Sequence, residues 1–151
     1  MGRLDGKAAV ITGAAQGIGA LMAKAMADEG ARVLVTDVQN TDAAVKVITD
    51  AGGTAQGLNV DVTNNEDLKA MVETATGDLG GLDNMVNNAS IFATLTPKPF
   101  FEIDDDEFEL IMRVNARGVH QVMRAIVPTM IKGGGGKVDN IASGTFYYGP
   151  P

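Results

Sequence analysis

The sequence predicts an α/β fold in which a parallel β-sheet is covered by helices on both faces. Two observations indicate this class. Short apolar segments rich in β-branched residues, such as RVLVT at residues 32–36, alternate along the chain with longer segments of helical character. Neither a linker nor an internal repeat interrupts this alternation. Because consecutive parallel strands need right-handed crossovers, we expect one doubly wound sheet.

The first elements have clear local reasons. Residues 8–12 (AAVIT) form a short apolar run between turn residues, which is typical of a buried parallel strand. A helix is predicted over residues 18–29, and Gly30 would end it as a C-terminal cap. The β-branched residues at 32–36 predict the second strand.

The middle of the chain repeats this order. A helix is predicted over residues 41–51, and a third strand over residues 54–60. The sequence TNNE at residues 63–66 has the pattern of a capping box, which would open a helix that ends near residue 80. Residues 82–87 predict the fourth strand.

The last predicted elements are a long helix and a fifth strand. The acidic residues 104–107 suit a helix N-terminus, and apolar residues keep helical spacing from Phe108 to Met130. The strand is predicted over residues 137–142. Asp139 stands within it and would be costly if buried alone, so it either has a partner or lies on an edge strand.

The composition excludes several classes of protein. The 151 residues are 45% hydrophobic, which suffices for one domain with a buried core. A net charge of −7 argues against binding to nucleic acid or to anionic membranes, because both need a basic surface. With no cysteine and one histidine, we predict neither a disulfide framework nor a metal site. No apolar run could span a bilayer and no signal peptide is evident, so we expect a cytoplasmic protein.

A glycine-rich loop, TGAAQGIG, follows the first predicted strand. Glycines allow a sharp turn and a close approach of backbone to a pyrophosphate, and the following helix N-terminus favours an anion. The spacing GxxxGxG differs from the GxGxxG fingerprint, and an ordinary glycine turn is the alternative. The predicted cofactor contacts in this loop are Gly13, Gln16, Gly17, Ile18 and Gly19.

Asp37 follows the second predicted strand, where a carboxylate can accept hydrogen bonds from both hydroxyls of an adenosine ribose. The same carboxylate would repel the 2′-phosphate of NADP. Because no Lys or Arg lies in residues 14–16 or just after Asp37, we predict NAD as the cofactor, with Val38 as a further contact. A solvated aspartate at a strand end is the alternative.

Four further motifs follow in order. Asp61-Val62 comes after the third strand, and residues 87–90 (NNAS) come after the fourth. Asn115 interrupts the apolar stripe of the long helix, where a buried amide would need partners. Ser143 follows the fifth strand, at the sheet edge where ligands bind in such folds. The alternatives are a helix asparagine satisfied by a water or a neighbour at position 115, and a turn serine beside Gly144 at position 143.

With the glycine loop, these motifs resemble the short-chain dehydrogenase/reductase family over the whole chain. The loop is similar to the TGxxxGIG of the family, Asp61-Val62 to its adenine-contacting pair, and NNAS to its NNAG motif. The resemblance implies a Rossmann-type fold and cofactor contacts from Asn88, Ala89 and Ser90. Ser90 departs from the family's glycine, so we expect the approach of the backbone to the cofactor to be tighter there.

The resemblance also implies a chemistry. In the family, the residue matching Asn115 holds a water in a proton relay, and the one matching Ser143 hydrogen-bonds the substrate oxygen. These two are the predicted catalytic residues. The expected activity is NAD-dependent hydride transfer to or from a small alcohol or ketone, and family members are commonly dimers or tetramers.

The family also needs a tyrosine with a lysine four residues later. Here Tyr147 is followed at that distance by Pro151, and Tyr148 has no such residue. We therefore interpret both tyrosines as loop aromatics near the substrate pocket. Residues 1–151 are expected to be a single but incomplete NAD-binding domain that lacks the later strands and is inactive alone. The alternatives are a non-catalytic NAD-binding module and an interaction module.

Overall fold

A five-stranded parallel sheet with strand order β3-β2-β1-β4-β5 is the centre of the molecule. The computed structural model describes residues 2–92 and 95–144. The predicted doubly wound α/β fold is confirmed. The strands are β1 (Ala8–Thr12), β2 (Arg32–Asp37), β3 (Thr54–Asn59), β4 (Asn84–Asn87) and β5 (Lys137–Asn140).

The helices connect these strands in the predicted order. They are α1 (Gly17–Asp28), α2 (Asp42–Asp50), α3 (Asn65–Gly77), a 3₁₀ turn (Phe100–Glu102), α4 (Asp105–Met112), a π-helical segment (Arg113–Gly118) and α5 (Val119–Lys132).

Both faces of the sheet are covered, because side chains of a strand point alternately to opposite faces. Ala8 and Val10 of β1 belong to a core cluster with residues of α3 and α5. Ala9 and Ile11 belong to a second cluster with residues of α1 and α2. Because all the strand pairs are parallel, the carboxyl ends of the strands meet at one edge of the sheet, where the connecting loops lie.

The fifth strand lies at the edge of the sheet and pairs with β4. Asp139 is exposed there, which removes the cost of burying its charge. Of the two possibilities given by the sequence, the five described strands show the edge position. The strand ends at Asn140 rather than at the predicted residue 142.

The start of α3 differs from the predicted capping box. Asn64 is the N-cap, and its side chain accepts a hydrogen bond from the Glu66 N–H at 2.9 Å. The Thr63 hydroxyl instead donates to Asp61 Oδ1 at 2.8 Å. Hydrogen bonds to a carboxylate are stronger than those between neutral groups. The Thr63 hydroxyl therefore bonds to Asp61, and Asn64, one residue later, caps the helix.

The predicted long helix is interrupted by the π-helical segment and is not apolar on one buried face throughout. Asp104 caps it as expected, since its side chain accepts from the Glu107 N–H at 2.8 Å. Phe108 and Met112 of α4 are 59% and 46% exposed, however, whereas Val122 and Ile126 of α5 are buried. Helical spacing alone did not reveal that α4 projects beyond the sheet core. No helix in the described part of the chain is both long and apolar enough to cross a membrane.

Candidate functional site

A cleft of about 850 Å³ lies where the loops after β1, β2, β3 and β4 meet. A smaller depression of about 420 Å³ lies between α3 and α5, away from the strand ends. The larger cleft collects nearly all the predicted cofactor-binding residues. Those that line it are Gly13, Gln16, Ile18, Gly19, Asp37, Val38, Asp61, Val62, Asn88, Ala89 and Ser90.

Two glycines of the loop are required by close packing. A Cβ at Gly19 would lie 2.3 Å from the Gly13 carbonyl oxygen and 2.6 Å from Asn88 Nδ2. A Cβ at Gly13, whose φ is +64°, would lie 2.7 Å from the Ala89 Cα. The start of α1 is thus packed directly against the loop after β4, with no room for a side chain between them.

Gly17 is required for a different reason. Its φ of +59° is unfavourable for residues with a side chain, yet a Cβ there would meet no atom within 4 Å. It is the first residue of α1, and neighbouring Ile18 is 64% exposed. The turn therefore leaves the backbone amides of the helix N-terminus open to solvent, which is the arrangement that binds anions.

The loops after β1 and β4 are also joined by hydrogen bonds. Asn88 Nδ2 donates to the carbonyl oxygens of Thr12 at 3.0 Å and Gly13 at 2.9 Å. In return, Thr12 Oγ1 accepts the backbone N–H groups of Asn88 and Ala89, both at 3.1 Å. Sequence reasoning missed Thr12 as a residue that shapes the site. The only signal was its place as the first residue of TGAAQGIG.

Asp37 is 8% exposed at the end of β2, and its carboxylate is held on both sides. One oxygen accepts the Ala15 N–H and the other accepts the Gln39 N–H, each at 3.0 Å. These bonds fix the carboxylate beside the glycine loop and at the wall of the cleft. The structure thus places Asp37 beside the glycine loop, as predicted.

Asp61 and Val62, which follow β3, have different structural roles. Asp61 Oδ1 accepts both the N–H and the hydroxyl of Thr63 at 2.8 Å, which holds the turn into α3. Val62 is buried, and a Cβ at Gly118 would lie 2.8 Å from its Cγ2. Gly118 thus lets the π-helical segment approach this wall of the cleft closely.

Asn115 lies in the π-helical segment, a type of irregularity that often occurs at functional sites. Its Oδ1 accepts the Ile91 N–H at 2.8 Å, and its Nδ2 donates to the Ile91 carbonyl oxygen at 3.0 Å. The half-buried amide of Asn115 thus has both of its partners on the backbone of Ile91. Asn115 does not line the cleft itself, but it holds Ser90-Ile91-Phe92, which do.

Ser143 is exposed beyond the end of β5 and is not among the residues lining the cleft. The preceding chain is tied to β4, because the Ile141 N–H donates to the Asn87 carbonyl oxygen at 3.0 Å. Asn87 Nδ2 also donates to Asn140 Oδ1 at 2.8 Å. Tyr147 and Tyr148, interpreted as aromatics near a substrate pocket, lie outside the described residues.

One wall of the cleft was not anticipated from the sequence. Leu110, Arg113 and Val114 line it from α4 and the π-helical segment, together with Phe92 from the loop after β4. Phe92 is 79% exposed. The spacing of the three helical residues, i, i+3 and i+4, is the only sequence signal that they share a face.

A comparison with models of protein families identifies the family of this chain. A family model described as short chain dehydrogenase matches residues 7–150. The chain belongs to this family. Short-chain dehydrogenases are oxidoreductases that bind a nicotinamide cofactor, which agrees with the position of the cleft.

Several known short-chain dehydrogenases are similar to this chain over most of its length. It is 38% identical over 142 residues to sorbitol dehydrogenase of Cereibacter sphaeroides. It is 37% identical over 142 residues to galactitol 2-dehydrogenase of Agrobacterium fabrum, and 34% identical over 151 residues to a 3-oxoacyl-[acyl-carrier-protein] reductase of Thermotoga maritima. These matches cover 93%, 93% and 99% of this chain, but 54%, 54% and 60% of the relatives. The chain thus spans a little over half their length.

Solved structures agree with the family at the level of the fold. A short-chain dehydrogenase/reductase from Burkholderia xenovorans superposes with a TM-score of 0.89 at 28% identity, covering 97% of this chain and 60% of that one. One from Mycobacterium marinum also gives 0.89, at 33% identity, covering 95% and 58%. The sheet order and crossovers described above are therefore those of the family.

Proposed function

We propose that this chain is the NAD(H)-binding part of an oxidoreductase that transfers a hydride between nicotinamide and a small alcohol or ketone. The observation that carries the proposal is the packing of Gly19 against Gly13 and Asn88, which brings the N-terminus of α1 to the wall of the cleft at Ile18 and Gly19. Gly13 and Gly19 leave no room for a side chain where the backbone is close-packed, and Gly17 carries none at the helix N-terminus, where an anion would approach. This cradle fits a dinucleotide.

The residues present fit each part of that cofactor. The backbone amides of Gly17 and Ile18 would hold the pyrophosphate, Asp37 the adenosine ribose, and Asp61-Val62 the adenine. NAD supplies the hydride acceptor when bound. The chain's own residues would bind and orient it, and the buried side chain of Val62 forms an apolar part of the cleft wall.

The catalytic part of the proposal rests on Ser143 and Asn115. The Ser143 hydroxyl would hydrogen-bond the substrate oxygen, where negative charge develops during hydride transfer. Asn115 would act by holding the loop at Ser90-Ile91-Phe92 in place, and by the proton relay that the resemblance implies. The names of the relatives, two for dehydrogenases of alcohols and one for a reductase of a 3-oxo compound, support this substrate class.

The preference for NAD is testable by binding. A buried like charge next to a 2′-phosphate costs several kcal/mol, and about 1.4 kcal/mol corresponds to tenfold in affinity. We therefore expect the protein to bind NAD more than about a hundredfold more tightly than NADP. Calorimetric dissociation constants for both, measured at one salt concentration, decide the matter. Equal constants would rule out the assigned role of Asp37, and no binding of either would rule out the cofactor site.

We also propose that the protein forms a homo-oligomer. Phe108 and Met112 on α4 and Ile131 on α5 are substantially exposed, and such apolar surface is commonly covered by a partner. Light scattering coupled to size-exclusion chromatography would show a dimer or tetramer, and a monomer at micromolar concentration would contradict the proposal.

A further inference from the structure

We propose that Arg113 is an oxyanion-binding residue of the cleft. Its guanidinium would hold either a phosphate of the dinucleotide or an acidic group on the substrate. Both ligands offer paired oxygens to which a guanidinium can donate two parallel hydrogen bonds. The inference adds a binding residue to the proposed function, and the pyrophosphate part of its first test does not depend on that function.

The position of Arg113 is the first argument. It lies at the start of the π-helical segment, between Leu110 and Val114, and all three line the cleft. The glycine loop and the N-terminus of α1 line the same cleft. Among the described residues that line the cleft, Arg113 is the only Lys or Arg. It is therefore the one cationic side chain placed to meet a bound anion.

The second argument is that Arg113 has no partner within the described part of the chain, while many other cations do. Lys7 pairs with Asp83, Lys24 with Asp28, and Lys46 with Asp50. Lys98 pairs with Glu107 at 2.5 Å, and this hydrogen bond raises the pKa of Lys98. Arg113 makes no ion pair or side-chain hydrogen bond to residues 2–92 or 95–144, so all its donors remain available.

The carboxylates of the cleft do not explain the presence of Arg113. Asp37 accepts two backbone N–H groups, from Ala15 and Gln39. Asp61 Oδ1 accepts two donors from Thr63. Both carboxylates are thus held by neutral donors from their own loops, and neither forms an ion pair with Arg113. A cation left unpaired in the concave wall of a protein with net charge −7 favours an anionic ligand.

The first experiment measures binding of inorganic pyrophosphate and of NAD by calorimetry to the wild type, Arg113→Gln and Arg113→Lys. Arg117→Gln is the matched control, because Arg117 is exposed like Arg113 and lies in the same π-helical segment but does not line the cleft. If the anion is the cofactor phosphate, Arg113→Gln should weaken both ligands about tenfold. Arg113→Lys should lose less, since it keeps the charge but not the planar fork. Arg117→Gln should match the wild type.

The second experiment separates the substrate from the cofactor. The probe is 3-hydroxybutyrate, a small alcohol with a carboxylate, titrated with and without saturating NAD. If the anion belongs to the substrate, pyrophosphate and NAD should bind Arg113→Gln normally, whereas 3-hydroxybutyrate should bind it about tenfold more weakly than the wild type.

The proposal is overturned if Arg113→Gln and Arg117→Gln are indistinguishable for pyrophosphate, NAD and 3-hydroxybutyrate. Failure of the proposed function has a different signature. In that case the wild type binds no dinucleotide, while its binding of pyrophosphate still depends on Arg113. Equal thermal unfolding of the variants excludes misfolding as the cause of any loss.

Discussion

The side chain of Asn115 is hydrogen-bonded to the backbone of Ile91 through both of its polar atoms, at 2.8 Å from the Ile91 N–H and 3.0 Å to its carbonyl oxygen. The carboxamide thus pairs with the loop after β4 as a neighbouring strand would. Because Ser90, Ile91 and Phe92 line the cleft, this contact connects the π-helical segment to the shape of the site.

Replacing Asn115 should therefore affect both stability and binding. Asn115→Ala leaves the Ile91 N–H and carbonyl without their partner, at a cost of about 1–3 kcal/mol in the free energy of unfolding. We expect NAD affinity to fall as well, because the loop is no longer held. Denaturant titration and calorimetry measure the two effects. His120→Ala, at an exposed position on α5, is the control, and equal behaviour of the two variants would contradict the prediction.

Gly19→Ala should disturb the cleft more than the fold. The added Cβ would meet the Gly13 carbonyl oxygen at 2.3 Å and Asn88 Nδ2 at 2.6 Å, so the glycine loop and the loop after β4 must separate. We expect NAD affinity to fall at least about tenfold, which corresponds to roughly 1.4 kcal/mol.

Gly77→Ala is the matched control for this prediction. Gly77 is exposed at the end of α3, and a Cβ there meets no atom within 4 Å. Alanine should stabilise that helix by about 0.5–1 kcal/mol and leave binding unchanged. If Gly19→Ala binds NAD as the wild type does, the packing of Gly19 has no part in cofactor binding.

Asp37→Asn should reduce the preference for NAD without abolishing the site. The amide oxygen can still accept one of the two N–H groups, from Ala15 or Gln39, but the charge that repels a 2′-phosphate is gone. We expect the ratio of NADP to NAD dissociation constants to fall by about tenfold or more. Asp42→Asn, at the exposed start of α2, should leave the ratio unchanged. A ratio unaffected by Asp37→Asn would contradict the assignment.

Asp83 should make part of the stability dependent on pH. It accepts hydrogen bonds from the Ala8 N–H and Lys7 Nζ, both at 2.9 Å. Burial acts to raise the pKa of Asp83, but these hydrogen bonds and the charge of Lys7 outweigh it, and the pKa is lowered. A lowered carboxyl pKa gives stability that is full above the unfolded-state value, about 3.9, and lost as pH falls through the folded-state value.

Accordingly, Asp83→Asn should lower the free energy of unfolding by about 1 kcal/mol at pH 7. The difference from the wild type should shrink as the pH falls below about 4. Urea titrations at several pH values test this. Asp50→Asn, which removes an exposed ion pair with Lys46, should have a much smaller effect. A difference for Asp83→Asn that stays constant down to pH 2 would disprove the linkage.

The order of strands and helices along the chain, and the loops that carry the site, could be predicted from local sequence. Apolar β-branched runs and glycine turns are local signals, so β1 and β2 could be placed almost to the residue. The position of Asp37 beside the glycine loop also followed, because carboxyl ends of parallel strands share one edge of the sheet.

Which residues meet across that edge depends on long-range packing and could not be predicted. Thr12 and Asn88 are 76 residues apart, and the local sequence does not indicate that they form hydrogen bonds with each other. The partner of Asn115 and the wall position of Arg113 likewise depend on how the π-helical segment packs. Phe108 is exposed because α4 projects beyond the sheet core, and Asp139 is exposed because β5 is the last strand of the described sheet. Periodicity gives the face of an element, whereas burial of that face depends on what lies opposite, which is a property of the whole fold.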